Sequence, residues 1–217
     1  MKHTEPFHFR TERRLVQLTG RSARTLHELL AALREVPGSC IFYHTHHLFL
    51  SHHFEKPIVY NEFANWVSEA LREEALSEKL AAIDLMAFTS IRELREAIVG
   101  LIEGSLAMNS GRPRECPAGD EFHFCRSKSF VMATGVTAED VPAFFRRLPA
   151  VTHVSLYFHF LEARLRLERK TNDFSQWLQW RGEVELAESI DRLDPYVVTL
   201  DELKEQIVEL GRSRGIN

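Results

Sequence analysis

Apolar positions follow two periods along this chain, and the same succession of periods is written twice. Near the start, Phe7 and Phe9 alternate with polar residues, and Phe122 and Phe124 do the same in the second half. In each half the alternation surrounds a polar centre, Arg10 to Arg14 and Cys125 to Ser129. That pattern predicts a short two-stranded hairpin over 7–18 and another over 121–133, able to pair into one small sheet. Thr19-Gly20 and Thr134-Gly135 then punctuate the chain. Leu26, Leu29, Leu30 and Leu33 recur at helical spacing behind Thr25, which with Glu28 forms a capping-box pattern. In the second half Asp140 stands at the capping place, and Pro142 falls in the first turn, where a missing N–H costs nothing. Pro37 and Pro149 stop the two elements.

Ile41 to Phe54 and Ser155 to Leu167 come next, each an apolar-rich stretch expected to be the helix around which its half is organised. Asn61 and Asn172 are the right residues to cap a following helix, with Phe63 and Trp66, or Phe174 and Trp177, three apart on its buried face. Further helical stretches over 76–85 and 185–193 end near Asp84 and Asp194. The last helix of each half carries one apolar stripe: Ile91, Leu94, Ile98, Leu101 in the first, and Leu200, Leu203, Ile207, Leu210 in the second.

The order of these features is the same in both halves, and their spacing is roughly kept, drifting by a few residues as small loop insertions and deletions would make it. Phe7-His8-Phe9 and Thr19-Gly20 recur 115 residues later, and Asn61 with Trp66 recurs 111 residues later. The reading is a mainly helical α+β protein built by tandem duplication of a β-hairpin plus about five short helices. Its first repeat spans 1–106, its linker 107–119 and its second, degenerate repeat 120–217. The linker is rich in Asn, Ser, Gly and Pro. Short helices need tertiary partners, so the copies are expected to pack about a pseudo-twofold axis into one compact globule.

Composition narrows the function classes. With 27 basic against 31 acidic residues and no long block of one sign, the chain has no electrostatic footprint for nucleic acid or for an anionic membrane. No window is apolar for long enough to span a bilayer, and the first residues do not read as a signal peptide. Three cysteines, Cys40, Cys116 and Cys125, with no CxxC pair, argue against a disulfide framework and a cysteine zinc site. A reducing, cytoplasmic location follows as the expectation.

The halves differ most in their histidines. Tyr43 is followed by His44, His46, His47, His52 and His53, whereas the matching stretch of the second half, Ser155 to Leu167, carries only His159, in the place of His44. These six first-half residues are the candidate ligand-binding set. On a helix His46 and His53 lie two turns apart, on the order of 10 Å, too far to share a metal ion. His44 and His47 are three apart and could converge. An alternative reading therefore makes His44 and His47 metal ligands, with Glu62 as the acidic third and Glu78 or Asp84 as further candidates. Common nucleotide, hydrolase and calcium motifs do not occur.

The run YHTHHLFLSHHF, then NEFANWV, then LSEKLAAIDLMAFTSIRELREAIVGLI resembles an uncharacterised bacterial family, a domain of unknown function. In that family a Tyr-His-Thr-His segment precedes an Asn-Asp/Glu-Phe-Ala-x-Trp segment. The resemblance covers the first half well and the second weakly, and it implies no activity or cofactor. The expectation is a non-enzymatic binding or regulatory protein, without cofactor, that recognises a protein or small ligand through the histidine-rich helix. A metal-dependent enzyme and a structural homodimer are the competing readings.

Overall fold

In a computed structural model the chain is described over residues 5–51, 61–108 and 114–216, apart from the side chains of 48–51 and 166–167. It is a mixed α+β protein. Strand β1 (Phe7–Ala23) leads into α1 (Leu26–Glu35), α2 (Gly38–Ser51), α3 (Glu62–Glu69), α4 (Glu74–Ala81) and α5 (Ile91–Met108). Strand β2 (Phe122–Ala138) leads into α6 (Val141–Arg147), α7 (His153–Tyr157), α8 (Ala163–Leu167), α9 (Asp173–Arg181), α10 (Val184–Asp191) and α11 (Leu200–Ser213). A π-helical turn over Phe158–Glu162 joins α7 to α8, so the expected helix over 155–167 is continuous but locally widened.

The expected hairpins are instead single strands, each of 17 residues, paired with one another in a two-stranded sheet. The reason is local chemistry. Neither Arg10 to Arg14 nor Cys125 to Ser129 contains the Gly, Asn, Asp or Pro that a tight turn needs, so the polar centres stay extended. The Thr-Gly pairs do not end the strands either. Gly20 and Gly135 take φ of +76° and +77° inside them, a conformation open to glycine. The Thr19 hydroxyl donates to the Phe124 carbonyl at 2.8 Å and accepts from the Arg21 N–H at 3.2 Å. Thr134 donates to Phe9 O at 2.6 Å and accepts from Val136 N–H at 3.1 Å.

Contacts divide the chain into two compact units whose limits fall inside the strands, at Arg14 and Lys128, not in the 107–119 linker. The N-terminal unit holds the later part of β1, α1 to α5 and the beginning of β2. The C-terminal unit holds the beginning of β1, the remainder of β2 and α6 to α11. The Phe-x-Phe start of each strand fills the core of the other half's helices. In the N-terminal unit Phe122 and Phe124 join Leu29, Leu33, Ile41, Phe63, Val67, Leu80 and Ile98 in one buried cluster. In the C-terminal unit Phe7 and Phe9 lie against Phe144 and Phe174, with ring centroids 5.4 to 6.3 Å apart. Rings at these separations add to the burial of their large apolar area.

Most helix starts are those read from the sequence. Thr25, Asn61, Asp140, Asn172 and Thr199 each accept a backbone N–H from the first turn through their side chains. Thr199 and Glu202 complete a reciprocal capping box. At α1 the box is displaced by one residue, because the Glu28 carboxylate accepts from Arg24 N–H at 2.7 Å. Among the described residues no helix is long and apolar enough to cross a membrane.

Candidate functional site

The histidine-rich helix α2 starts directly after Pro37 and turns Cys40, Ile41, His44 and Thr45 inward, the 3–4 spacing of one helix face. His44 is 2 % exposed. Its Nε2 accepts the backbone N–H of Cys125 at 2.9 Å, so the ring proton sits on Nδ1 and is donated to Glu62 Oε2 at 2.8 Å. Glu62 is the first residue of α3, one position after the Asn61 cap, where the helix N-terminus favours a carboxylate. One imidazole thus ties α2, α3 and β2 together.

The C-terminal unit contains the same device. His159 Nε2 accepts from Arg10 N–H at 2.7 Å and its Nδ1 lies 2.7 Å from Asp173 Oδ2. Asp173 opens α9 behind Asn172, as Glu62 opens α3 behind Asn61. The Ser155 hydroxyl adds a bond to Arg10 O at 2.6 Å.

The other candidate residues separate. His46 is buried, stacks on Phe42 at 4.9 Å and meets the Thr45 hydroxyl at 2.7 Å. Because Thr45 gives its own proton to Ile41 O, that hydroxyl accepts from His46 Nδ1–H. Burial, with the Arg14 charge beside it, lowers the His46 pKa to about 3. His47 is half-buried and stacks on Tyr43 at 4.7 Å; burial lowers its pKa, with Arg14 acting in the same direction. Tyr43 is partly buried, and burial followed by the Glu62 charge raises its pKa. His52 and His53 lie outside the described residues.

Both ring nitrogens of His44 are committed to protein partners, and Glu62 is one of those partners. Glu78 is exposed on α4, and Asp84 caps the short turn at Leu85–Ala87 by accepting from Met86 N–H. Among the described residues no three His, Cys, Asp or Glu side chains are grouped to hold a metal ion. Cys40, Cys116 and Cys125 are free thiols, and burial raises the pKa of each. That keeps them protonated and weakly nucleophilic.

A cleft lies beside Glu62, the partner of His44. Its volume is about 430 Å³, and it is lined by Glu62, Trp66, Glu69 and Ala70 from α3 and its end, and by Asp120 and Phe122 at the start of β2. The Trp66 indole N–H donates to Asp120 O at 2.7 Å and the Trp66 ring meets Phe122 edge-on at 5.7 Å. Glu121, also on the wall, accepts from Gly119 N–H at 3.0 Å and lies 3.7 Å from Arg24. Glu69 and Asp120 are exposed carboxylates. The cleft can therefore offer an aromatic face, a backbone carbonyl and several negative charges to one small group. Helical spacing places Trp66 on the buried face of α3 with Phe63, and no motif in the sequence marks Glu69 or Asp120. The available signal was the residue one turn after each tryptophan, Ala70 in the first half and Arg181 in the second.

No curated protein matches this chain. A solved structure, OrfY from Thermoproteus tenax, is similar to it with a TM-score of 0.83 and 29% identity, over 99% of this chain and 98% of that one. The profile of a family of unknown function, DUF5752, matches residues 4–212. With nearly its whole length covered by that profile, the chain belongs to the DUF5752 family of unknown function.

Proposed function

We propose that this protein is a non-catalytic binding protein whose ligand, a small molecule or a side chain of a partner protein, enters the cleft beside Trp66 in the N-terminal unit. The observation that carries the reading is the cleft beside Glu62, the partner of His44, lined by the aromatic Trp66 and Phe122 and by several polar groups. The histidine-rich helix then acts from behind. His44 orients Glu62, and Glu62 faces the ligand. Recognition through His46 is disfavoured, because that ring is buried and its pKa is low.

A tandem duplication in the history of the chain belongs to the same reading. Its support is the recurrence of Thr-Gly at positive φ, of the Asn cap and of the acid–histidine–backbone device in both halves. A reducing, cytoplasmic setting accords with the three free thiols.

The test is an NMR screen of anions, sugars, nucleotides and organic cations, following the indole N–H resonances of the tryptophans, with Trp66 assigned by Trp66→Phe. A ligand for this cleft shifts the Trp66 resonance in a saturable way and leaves Trp177 in place. A folded protein whose Trp66 resonance no compound moves would remove the reading.

A further inference from the structure

The C-terminal unit holds a cation where the N-terminal unit holds its cleft. Trp177 donates its indole N–H to Glu5 O at 3.0 Å, as Trp66 donates to Asp120 O at 2.7 Å. One helical turn after Trp177, the guanidinium carbon of Arg181 lies 4.9 Å from the centre of the indole ring. Arg181 Nη2 donates to the same Glu5 carbonyl at 2.7 Å and to Glu139 O at 2.7 Å. The corresponding residue of the N-terminal unit, one turn after Trp66, is Ala70, whose short side chain lines the cleft together with Trp66.

From this pair we infer that the cleft at Trp66 binds a guanidinium group supplied from outside the chain, in the place that Arg181 fills in the C-terminal unit. The inference rests on the binding reading above and names its ligand class. Two of the ingredients are those the Arg181 site uses, the indole face and the carbonyl that its N–H meets. The Trp66 ring supplies a cation–π surface. The Asp120 carbonyl accepts one N–H from Trp66 and has a second lone pair, as Glu5 O does when it accepts from both Trp177 and Arg181. The charge of the walls fits a cation: Glu62, Glu69, Asp120 and Glu121 border the cleft, Arg24 lies 3.7 Å from Glu121, and His123 is the basic side chain among the described lining residues. A planar guanidinium matches carboxylates and stacks on indole better than an ammonium, which is compact and strongly hydrated.

Two sources carry this group, a small guanidine compound and an arginine side chain on a partner. The experiment titrates the full-length protein with agmatine, with the peptide acetyl-Gly-Arg-Gly-amide, and with cadaverine as the ammonium control, reading the Trp66 indole resonance. Agmatine or the peptide is expected to saturate the shift on the order of 1 mM or below, with cadaverine about tenfold weaker. A peptide that binds about tenfold tighter than agmatine assigns the source to a protein, and equal or weaker binding by the peptide assigns it to a small molecule.

Ala70→Arg should fill the cleft from within and abolish the shift. Arg181→Ala should do the converse, opening a second site whose occupancy by agmatine moves the Trp177 resonance and raises the melting temperature of that variant above its agmatine-free value. Agmatine binding that persists undiminished in folded Ala70→Arg overturns the inference. So does an Arg181→Ala protein that agmatine neither shifts nor stabilises, a readout that stands even where Ala70→Arg does not fold. If another class of compound moves Trp66 and neither guanidinium probe does, the guanidinium assignment falls while the binding reading survives. If nothing moves Trp66, both fall.

Discussion

His44 and Glu62 form a pair at 2.8 Å whose orientation is fixed from the far side by the Cys125 backbone N–H, 2.9 Å from the other ring nitrogen. Removing the ring leaves a cavity among Phe63, Phe122 and Phe124 and a strand N–H without its acceptor. His44→Ala should cost about 2–4 kcal/mol in urea denaturation. It should also accelerate hydrogen exchange at the Cys125 amide. His159→Ala should do the same at Arg10. Unchanged exchange at both amides would show that the imidazoles do not hold the strands.

Acid should weaken the protein through His46. Its folded pKa is about 3 against 6.5 as the reference, so between those values the unfolded chain binds a proton that the folded chain refuses. The stabilisation is complete above the unfolded value and is lost as pH falls toward the folded one. The slope is about 1.4 kcal/mol per pH unit for one proton. His46→Leu should flatten the stability curve by that amount between about pH 4 and 6. An identical slope in the variant would place the acid sensitivity elsewhere.

Gly211 of α11 is fitted to Phe145: a Cβ there would stand 2.5 to 2.8 Å from three ring atoms. Gly211→Ala should therefore destabilise by about 1–3 kcal/mol despite alanine's better helix propensity. At Gly100 and Gly104 in α5 an added methyl group would meet nothing within 4 Å. Substituting either by Ala should stabilise by about 0.5–1 kcal/mol. Thermal melts of the three variants should fall on opposite sides of the parent.

The positive φ at Gly20 and Gly135 makes a third backbone test. Gly20→Ala and Gly135→Ala should each cost about 1 kcal/mol or more, although neither methyl would meet another atom. Thr19→Val and Thr134→Val should lose a similar amount by leaving the Phe124 and Phe9 carbonyls without their hydroxyl donors. Equilibrium denaturation separates these costs from packing, because the sites are exposed or nearly so.

Much of the fold was legible because helix starts and stripes are local. The caps at Asn61, Asn172, Asp140 and Thr199 depend on a side chain reaching a backbone N–H two or three residues away. The stripes of α5 and α11 bury Leu94 and Ile98, and Leu200, Leu203 and Ile207. In α5 the third buried position is Ile102 rather than Leu101, because the stripe drifts around a helix of 18 residues. Strand pairing is not local. A polar centre flanked by alternation fits a hairpin and a long strand equally well, and only the partner available in space separates them.

The chain's own order of residues determined the helices and their caps, since each depends on neighbours within a few positions. Tertiary structure alone decided that Phe122 and Phe124 complete the core built by α1 to α5, and that Phe7 and Phe9 complete the other. It also decided which histidines are buried, and that Ala70 lines a cleft together with Trp66. Those outcomes join residues dozens of positions apart, and a periodicity carries no information about what a face will meet.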